Sequence, residues 1–569
     1  MPKHDLSPAP MPPAKRLHTL ETSKMEPRHI LTFENSIYDE LVLCVFAHLS
    51  WMDLCVAQTI NKKWARLSAD NELWRREYLR VFGRTRLRGG RGLVGRSDGR
   101  ETKPLPGRAS AEEVKDWKWM FRISSNWLRG RCKAEGLLAL APAIPGTDRL
   151  LGSYHPIVLV AGRLTITASS RPATRPEIQV TGYGDHAQLV IKCESQLANT
   201  SHITALAVDQ SPPHAGCLRL ASFLSTGEFI IWSLTHSQPV TYTRQYSYQP
   251  SGRAERTAPI IEAVYHHPLL VTLSQSFSLS IYDLSSSIVR HSQTLTSFTS
   301  FPPTSLVLST LSPASYKLVL AYAIPVYPAH WSVGATELII GGTGSSSKNS
   351  ATSALSFSSD TPSSGPEALT IRSTRTIRTI DVPRGWVDER KLRAMREQWG
   401  RKVSQVMDTQ TDGKWVVLAP GDRLSSYAGY SPPQEHSSPS SAPPFPVSAA
   451  MMSSPMHSAL GLQLYRLTLP PQSSSVSASP PKLTFVRTLH GQMGPIASLA
   501  LADGRCVSLG HNGSIWVWDL ENGTGAEVAA GDFPAIDAHP EPVRGAVVFD
   551  EKRIISALAG NVVVRRFDI

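Results

Sequence analysis

A short strand–turn–strand pattern recurs five times between residues 202 and 569. Each copy has an apolar strand, a second strand of small and aliphatic residues, a turn, and a third strand ending in an aromatic residue followed by a polar one. Short strands at this spacing, separated by turn residues, are typical of all-β architectures, and a repeat of this period indicates units that pack on one another. The copies lie at 202–234, 260–284, 412–467, 489–520 and 543–569.

The 489–520 copy resembles a WD repeat, the unit of a family of β-propellers. In that family a Gly-His pair, a strand Ser or Thr, a turn Asp and a strand Trp form a hydrogen-bonded network inside each blade. The resemblance assigns such structural roles to His490, Asn512, Trp518 and Asp519 in this copy, to Trp232 in the 202–234 copy, and to Tyr282 and Asp283 in the 260–284 copy. It implies a propeller over residues 131–569 with about seven degenerate blades.

Two of these blades are expected from residues 150–200 and 300–345, where the repeat is faint. The first and last strands of a propeller usually share a blade, and the terminal strand Val562–Phe567 fits that closure. Four insertions are predicted, at 345–367, 384–404, 430–458 and 470–481. The segment 384–404 has the pattern of a charged amphipathic helix. The other three are rich in Ser or Pro, bury little apolar surface, and are therefore predicted to be disordered loops.

The N-terminal part of the chain has a different, helical period. Residues 1–32 are Pro-rich and polar, which predicts a disordered tail. Residues 33–83 read as four short helices, with Ser36 and Asn71 as expected N-caps. A basic Gly/Arg-rich loop follows at 84–110, and a Trp-rich linker helix is expected at 111–130.

The segment 33–83 resembles an F-box, the adaptor-binding module of modular ubiquitin ligases. Ile37 and Tyr38 occupy the place of the family's Leu-Pro pair, and the matching motifs are Asp53-Leu54, Asn61-Lys62-Lys63-Trp64 and Leu73-Trp74-Arg75. The resemblance implies that one helical face contacts a Skp-type adaptor. The simpler alternative is a helical bundle that only packs against the propeller.

The residues that the resemblance assigns fall into two groups. The adaptor-binding group is Ile37, Tyr38, Leu41, Val45, Leu49, Leu54 and Trp64. The core group is Phe46, Leu67, Leu73 and Trp74. Trp64 also fits the core, because a large indole in a module this small is needed to fill its interior.

Charge and cysteine content narrow the functional class. The chain carries a net charge of +12, and half of that excess lies between residues 84 and 108, where seven Arg and one Lys face two acidic residues. Such a run is typical of a solvated linker or of a surface for an acidic partner. The six Cys form no CxxC pair, so neither a disulfide framework nor a metal site is expected, and no cofactor. Cys44 and Cys55 are expected to be buried on apolar helical faces.

The predicted function is therefore target selection without catalysis. No P-loop and no nucleophile elbow is present, and the His266-His267 pair has no Cys or carboxylate nearby in sequence to make it a metal site. The favoured hypothesis is the substrate-recognition subunit of a cullin-based ubiquitin ligase, with an adaptor and cullin partnered through residues 33–83 and a target protein held by the propeller. The alternative is a propeller scaffold in a nuclear, chromatin or RNA-processing assembly. A cytoplasmic or nuclear location fits both, and neither a membrane nor nucleic acid is the expected partner under the first.

Overall fold

The computed structural model describes residues 37–82, 116–139, 156–182, 188–212, 217–235, 241–250, 258–286, 288–297, 304–312, 314–326, 330–342, 369–379, 388–421, 461–469, 481–492, 494–531, 545–558 and 560–569. The predicted tail 1–32, the loop 84–110, the insertions 345–367 and 430–458, and nearly all of 470–481 lie outside these ranges. The chain divides into two compact units, Met1–Glu77 and Tyr78–Ile569.

Four helices form the described part of the first unit, and the last of them continues into the second. They are α1 (Asp39–Phe46), α2 (Trp51–Ala57), α3 (Lys62–Ser68) and α4 (Asn71–Phe82). Local capping explains most of their starts. Ser50 and Asp53 form a reciprocal capping box at α2, and the Asn61 side chain accepts from the Trp64 backbone N–H at 2.7 Å. At α4 the cap is Asp70 rather than the predicted Asn71, because its carboxylate accepts the N–H groups of Glu72 and Leu73.

The second unit begins with the last turn of α4 and contains α5 (Trp117–Arg129), which packs on the β region. The Trp127 ring stacks on Phe567 with centroids 4.1 Å apart, and the Asn126 amide donates to the Phe567 carbonyl at 2.7 Å. Gly130 ends the helix in the left-handed region at φ 64°, and a Cβ there would lie 2.2 Å from the Glu527 carbonyl oxygen. The close approach therefore requires Gly at this position.

Seven four-stranded antiparallel sheets follow, and we number them blade 1 to blade 7. Blade 1 contains β2 (Pro156–Ala161), β3 (Leu164–Ser169), β4 (Glu177–Gly182) and β5 (Gln188–Lys192). Blade 2 contains β6 (Ile203–Val208), β7 (Cys217–Leu224), β8 (Phe229–Thr235) and β9 (Tyr242–Tyr248). Blade 3 contains β10 (Ile260–His266), β11 (Leu269–Ser274), β12 (Ser278–Asp283) and β13 (Arg290–Thr296).

Blade 4 has the longest strands, β14 (Thr304–Ser312), β15 (Ser315–Val326), β16 (His330–Gly342) and β17 (Leu369–Arg378). Helix α6 (Glu389–Gly400) connects it to blade 5, which contains β18 (Val406–Thr411), β19 (Trp415–Pro420), β20 (Leu462–Thr468) and β21 (Lys482–Leu489). Blade 6 contains β22 (Ile496–Ala502), β23 (Arg505–Gly510), β24 (Ile515–Asp519) and β25 (Thr524–Ala529). Blade 7 contains β26 (Ala546–Phe549), β27 (Arg553–Leu558), β28 (Asn561–Arg566) and, as its outer strand, β1 (Lys133–Ala139).

The prediction of a helical module followed by a propeller of about seven blades is thus confirmed. The first strands of neighbouring blades contact one another around a complete ring, which makes them the inner strands of a propeller. Apolar clusters fill the space between each neighbouring pair of blades, including blades 7 and 1. Both faces of a blade are therefore buried, and strands such as β8 and β19 read as nearly continuous apolar runs.

The ring closes because the first strand, β1, joins the last three strands in blade 7, as predicted from the terminal strand. Strand β1 pairs with β28, with Lys133 opposite Arg566. A buried guanidinium adds a second closure. Arg553 of blade 7 pairs with Asp550 at 2.8 Å and donates across the junction to the Gly162 carbonyl at 2.9 Å and the Thr165 hydroxyl at 3.1 Å in blade 1. All three partners satisfy a charge that would otherwise be costly to bury.

The polar network of the WD-like repeat survives in two blades, with one correction. Trp518 donates from Nε1 to the Ser508 hydroxyl at 2.9 Å, and Trp232 donates likewise to Ser222 at 3.0 Å. The predicted partner His490 is wrong, because its side chain is exposed. Gln492 takes its place, accepting from Ser508 and donating to the Ser514 hydroxyl at 3.3 Å. Because the sequence has His490-Gly491 rather than Gly-His, the histidine lies two residues before the network position, which Gln492 occupies.

The remaining predicted propeller residues act within turns and aromatic contacts. Asn512 accepts the Ser514 backbone N–H at 3.1 Å, and Asp519 accepts that of Glu521 at 3.1 Å. Tyr282 packs edge-on against Phe229 and Tyr248, with centroids 5.0 Å away in each case. Asp283 accepts the Ser285 backbone N–H at 2.9 Å. These contacts hold the turns and fill the gap between blades 2 and 3.

Candidate functional site

The interior of the first unit is filled by the side chains predicted for its core. Phe46, Leu67, Leu73 and Trp74 are all buried. The Trp74 indole donates to the Ser68 carbonyl at 2.8 Å, and Phe46 meets the half-buried Trp64 ring edge-on at 5.4 Å. Each helix turns one face toward this interior, so the apolar residues on its other faces point away from the core.

Those remaining residues face outward on α1 and at its start. Tyr38, Leu41 and Val45 are 78%, 56% and 54% exposed, and the last two lie one helical turn apart. Their neighbours Val42 and Phe46 are buried instead. An apolar stripe that a packed module leaves in solvent marks an interaction surface. We call Tyr38, Leu41 and Val45 the α1 stripe.

Helix α2 and the turn after it expose a second stripe that the sequence reasoning missed. Met52, Val56 and Ile60 are all more than half exposed and recur at intervals of four. The spacing of these three residues in the sequence already indicates a second apolar face of α2, opposite the face that Leu54 and Ala57 bury. We call Met52, Val56 and Ile60 the α2 stripe.

The predicted adaptor-binding residues therefore fall into three groups by their exposure to solvent. The α1 stripe is exposed, whereas Ile37, Leu49 and Trp64 are half-buried. Leu54 is only 1% exposed and belongs to the core, so its assignment as an adaptor contact is wrong. Cys44 and Cys55 are also corrected, since both thiols are exposed rather than buried. Each lies on the outward side of its helix.

An ion-pair network ties α1 to α3 beside the α1 stripe. The Asp39 carboxylate pairs with the Arg66 guanidinium and, at 3.1 Å, with the Lys63 ammonium. Hydrogen bonds from Arg66 and then Lys63 lower the pKa of Asp39 below its usual value. The stripe is thus flanked by a fixed polar edge, as expected for a surface that docks in one orientation.

The second unit offers a different surface at one mouth of the propeller channel. Four inner strands carry a β-bulge one residue after their start, and a bulge leaves its extra residue unpaired. Inner strands of a ring run in the same sense, so these residues lie at the same mouth. They are Thr204 in β6, Ile261 in β10, Met407 in β18 and Ala497 in β22.

A rigid loop presents an apolar side chain at the same mouth. Leu197 lies 54% exposed in the connection that enters β6. The neighbouring Glu228 is buried and accepts hydrogen bonds from Ser195, from Thr226 at 2.6 Å and from the Gln196 backbone at 2.9 Å. Burial would raise the pKa of Glu228, but these hydrogen bonds lower it below its usual value. Glu228 is therefore ionised, and its carboxylate holds the loop in place through these hydrogen bonds.

Across the described residues no group of three His, Cys, Asp or Glu side chains could hold a metal ion. His266 and His267 lie at the turn between β10 and β11 of blade 3, and the His267 backbone N–H donates to the Asp209 carboxylate of blade 2 at 3.0 Å. The histidine pair therefore belongs to a contact between these two blades. None of the helices in the described ranges has the length and apolar composition of a membrane-spanning segment.

Comparisons with known proteins match both parts of the chain. Residues 39–80 match the F-box-like family, and residues 179–391 match the family described as F-box protein pof12 beta-propeller. No curated protein matches the chain. The solved structures that resemble it include the computationally designed Ika8 protein, which is 11% identical, with 76% of this chain and 99% of that chain covered at a TM-score of 0.32.

Proposed function

We propose that this chain, an F-box protein with an F-box-like domain followed by a seven-bladed β-propeller, is the substrate-recognition subunit of a cullin-based ubiquitin ligase. The F-box-like domain binds a Skp-type adaptor and, through it, a cullin. The propeller binds the target protein. The observation that carries the proposal is the α1 stripe, because it is an apolar surface left bare on a module whose core is already complete.

The energetics of the α1 stripe fit a docking role. Burying a Leu or Val side chain that was exposed gains about 1.5–3 kcal/mol. Leu41 and Val45, both more than half exposed, can therefore contribute several kcal/mol to an interface. The α2 stripe extends the apolar area available to the adaptor. Lys63, Arg66 and Asp39 supply a polar rim next to it.

The proposed mechanism is positional and asks no side chain of this chain to act as acid, base or nucleophile. A target held by the propeller is linked to the ligase through the F-box-like domain. Transfer to a target lysine then becomes an intramolecular event at a high effective concentration. The channel mouth with Ile261 and Leu197 is the favoured target surface, because both side chains are exposed there, one at the bulge of β10 and one in the loop that enters β6.

The adaptor interaction can be tested by co-purification of the full chain with a Skp-type adaptor. The double variant L41D/V45D places two charges in the α1 stripe, and we expect adaptor recovery to fall by more than about a hundredfold, because burying an unpaired carboxylate opposes docking. Both residues are exposed, so the module should stay folded by circular dichroism. The control is I288D, which places one carboxylate at an exposed residue between the last two strands of blade 3.

Two outcomes would contradict the proposal. One is a parent chain that recovers no adaptor or cullin from cells. The other is L41D/V45D retaining the adaptor as well as I288D does. A parallel variant, L197D/I261D, changes two exposed residues of the channel mouth. It should keep the adaptor and lose bound target proteins, which separates the two surfaces.

A further inference from the structure

Helix α6 forms a basic surface on the connection between blades 4 and 5. Residues 388–402 contain six Arg or Lys and three acidic residues. The basic residues are Arg390, Lys391, Arg393, Arg396, Arg401 and Lys402. Because this segment leads directly into the start of β18, it lies at the channel mouth that carries the Met407 bulge.

The helix is held firmly even though none of its residues is buried. Val403, just after it, exchanges two backbone hydrogen bonds with Trp331 of blade 4 at 2.7 and 3.0 Å. The Gln463 amide of blade 5 donates to the Arg401 carbonyl at 2.8 Å. Asp388 caps the start by accepting the Lys391 backbone N–H at 2.8 Å. Both neighbouring blades thus fix the C-terminal end, and a partner would meet a pre-organised helix.

Most of the basic side chains on α6 form no ion pair within the described residues. Among the described residues, Arg390, Lys391 and Arg396 form no ion pair. Arg393 pairs with Glu389 at 3.8 Å, and with both side chains exposed this pair contributes little. Lys402 lies 5.4 Å from the Trp399 ring, and Arg401 lies 4.5 Å from the Phe485 ring. The helix therefore presents cations in solvent, where an acidic partner can reach them.

An apolar stripe runs along the same helix. Leu392, Met395 and Trp399 recur at intervals of three and four, which places them on one face. Leu392 is exposed, and the other two are half-buried. Met, Trp and Arg are enriched in protein interfaces, and here all three types lie on twelve residues. A face of this size suits one or two partner side chains and is too small for stable insertion into a bilayer.

We propose that α6 is a docking site for an acidic segment of the target protein, rich in Asp and Glu and carrying an apolar residue that meets Leu392 and Met395. The inference rests on the proposed function of the propeller and gives its target a chemistry. Charge complementarity selects an acidic partner. The cations are spread along and around the helix, which suits several carboxylates, whereas recognition of one phosphate needs guanidinium groups that converge.

The test uses the full chain bound to its adaptor and a labelled synthetic peptide of 12 residues, the length of α6, composed of Asp and Glu around one central Leu. Binding is followed by fluorescence anisotropy at about 0.1 M salt, where charges about 10 Å apart still interact. The variant R390E/R393E/R396E should weaken binding at least about tenfold. Leu392→Ser should weaken it by about threefold through loss of the apolar contact.

The control variant R163E/K192E/R244E makes the same change in net charge at exposed positions of blades 1 and 2, and it should bind within about twofold of the parent. A peptide with Gln and Asn in place of Glu and Asp should not bind. Equal weakening by both triple variants would overturn the proposal, as would binding of the neutral peptide or a phosphoserine peptide that binds more than about tenfold tighter. Adaptor recovery by R390E/R393E/R396E is measured in parallel, so that loss of the adaptor is not mistaken for loss of the target site.

Discussion

The helical module and the propeller treat apolar surface in opposite ways. Each blade buries both of its faces against neighbours, and its exposed large apolar residues, such as Ile288 and Leu311, lie singly. In the described part of the module, by contrast, the α1 stripe and the α2 stripe each group three such residues. A ring of sheets can satisfy itself, whereas a module of four short helices has a complete core and apolar stripes left over. The module therefore has apolar surface available to a partner, whereas the blades bury most of theirs against one another.

The largest expected effect comes from a substitution that weakens the closure of the propeller between blades 7 and 1. Arg553→Leu leaves the Asp550 carboxylate buried without its partner and removes the hydrogen bonds to blade 1. The cost should be about 3–5 kcal/mol in the free energy of unfolding. Chemical denaturation of the full chain, followed by tryptophan fluorescence, measures it. The double variant D550L/R553L should recover most of the loss, and a double variant as unstable as the single one would refute the closure role.

A similar loss confined to the module would sharpen the comparison. Trp74→Ala removes a buried indole and its hydrogen bond to Ser68, at an expected cost of about 3–5 kcal/mol. Hydrogen exchange should rise across residues 39–77 and stay unchanged in the blades, because the two are separate compact units. The control Trp74→Phe keeps the apolar body and should show a smaller change. Exchange that rises equally in the blades would contradict independent stability.

A smaller effect tests the corrected network of blade 6. Gln492→Ala leaves the Ser508 and Ser514 hydroxyls each short of a partner, which should cost about 1–3 kcal/mol. His490→Ala, at the position that the family pattern points to, should change the free energy of unfolding by less than about 0.5 kcal/mol. Thermal denaturation of both variants decides the matter. The reverse order of effects would restore His490 to the network.

The smallest expected effect concerns the residues that replace Leu-Pro at the start of α1. Tyr38 already has φ −63° and ψ 148°, and φ −63° is the value that proline fixes. Its carbonyl accepts from Leu41 and Val42, and proline keeps that carbonyl. Tyr38→Pro should therefore raise the stability of the module by about 0.4–1 kcal/mol. A loss of helical circular dichroism would show instead that the Tyr38 backbone N–H is needed, and Tyr38→Ala controls for the missing ring.

Much of the fold was predictable because its signals are local. Residues close together in sequence produce the helical periodicity of α1 and α2 and the repeat that ends in Trp518-Asp519. The same holds for the helix at 389–400. The buried serine of the network also has a local signal, since Ser222 and Ser508 each precede their Trp by ten residues. The candidate site was predicted less completely. Leu41 and Val45 were expected, Leu54 was misplaced and the α2 stripe was missed, because periodicity shows that a helix has an apolar face without showing how many.

Periodicity and turn residues are thus enough to predict the order of the parts, a short helical module and then a ring of repeated sheets. Which apolar residues stay in solvent and which polar residues meet follows instead from packing between distant parts of the chain. Arg553 reaches Gly162 from the other end of the propeller sequence, and Gln492 rather than His490 reaches Ser508. Exposure and long-range hydrogen bonds are properties of the packed ring and bundle. No local pattern contains them, because they depend on which surface each element finds opposite it.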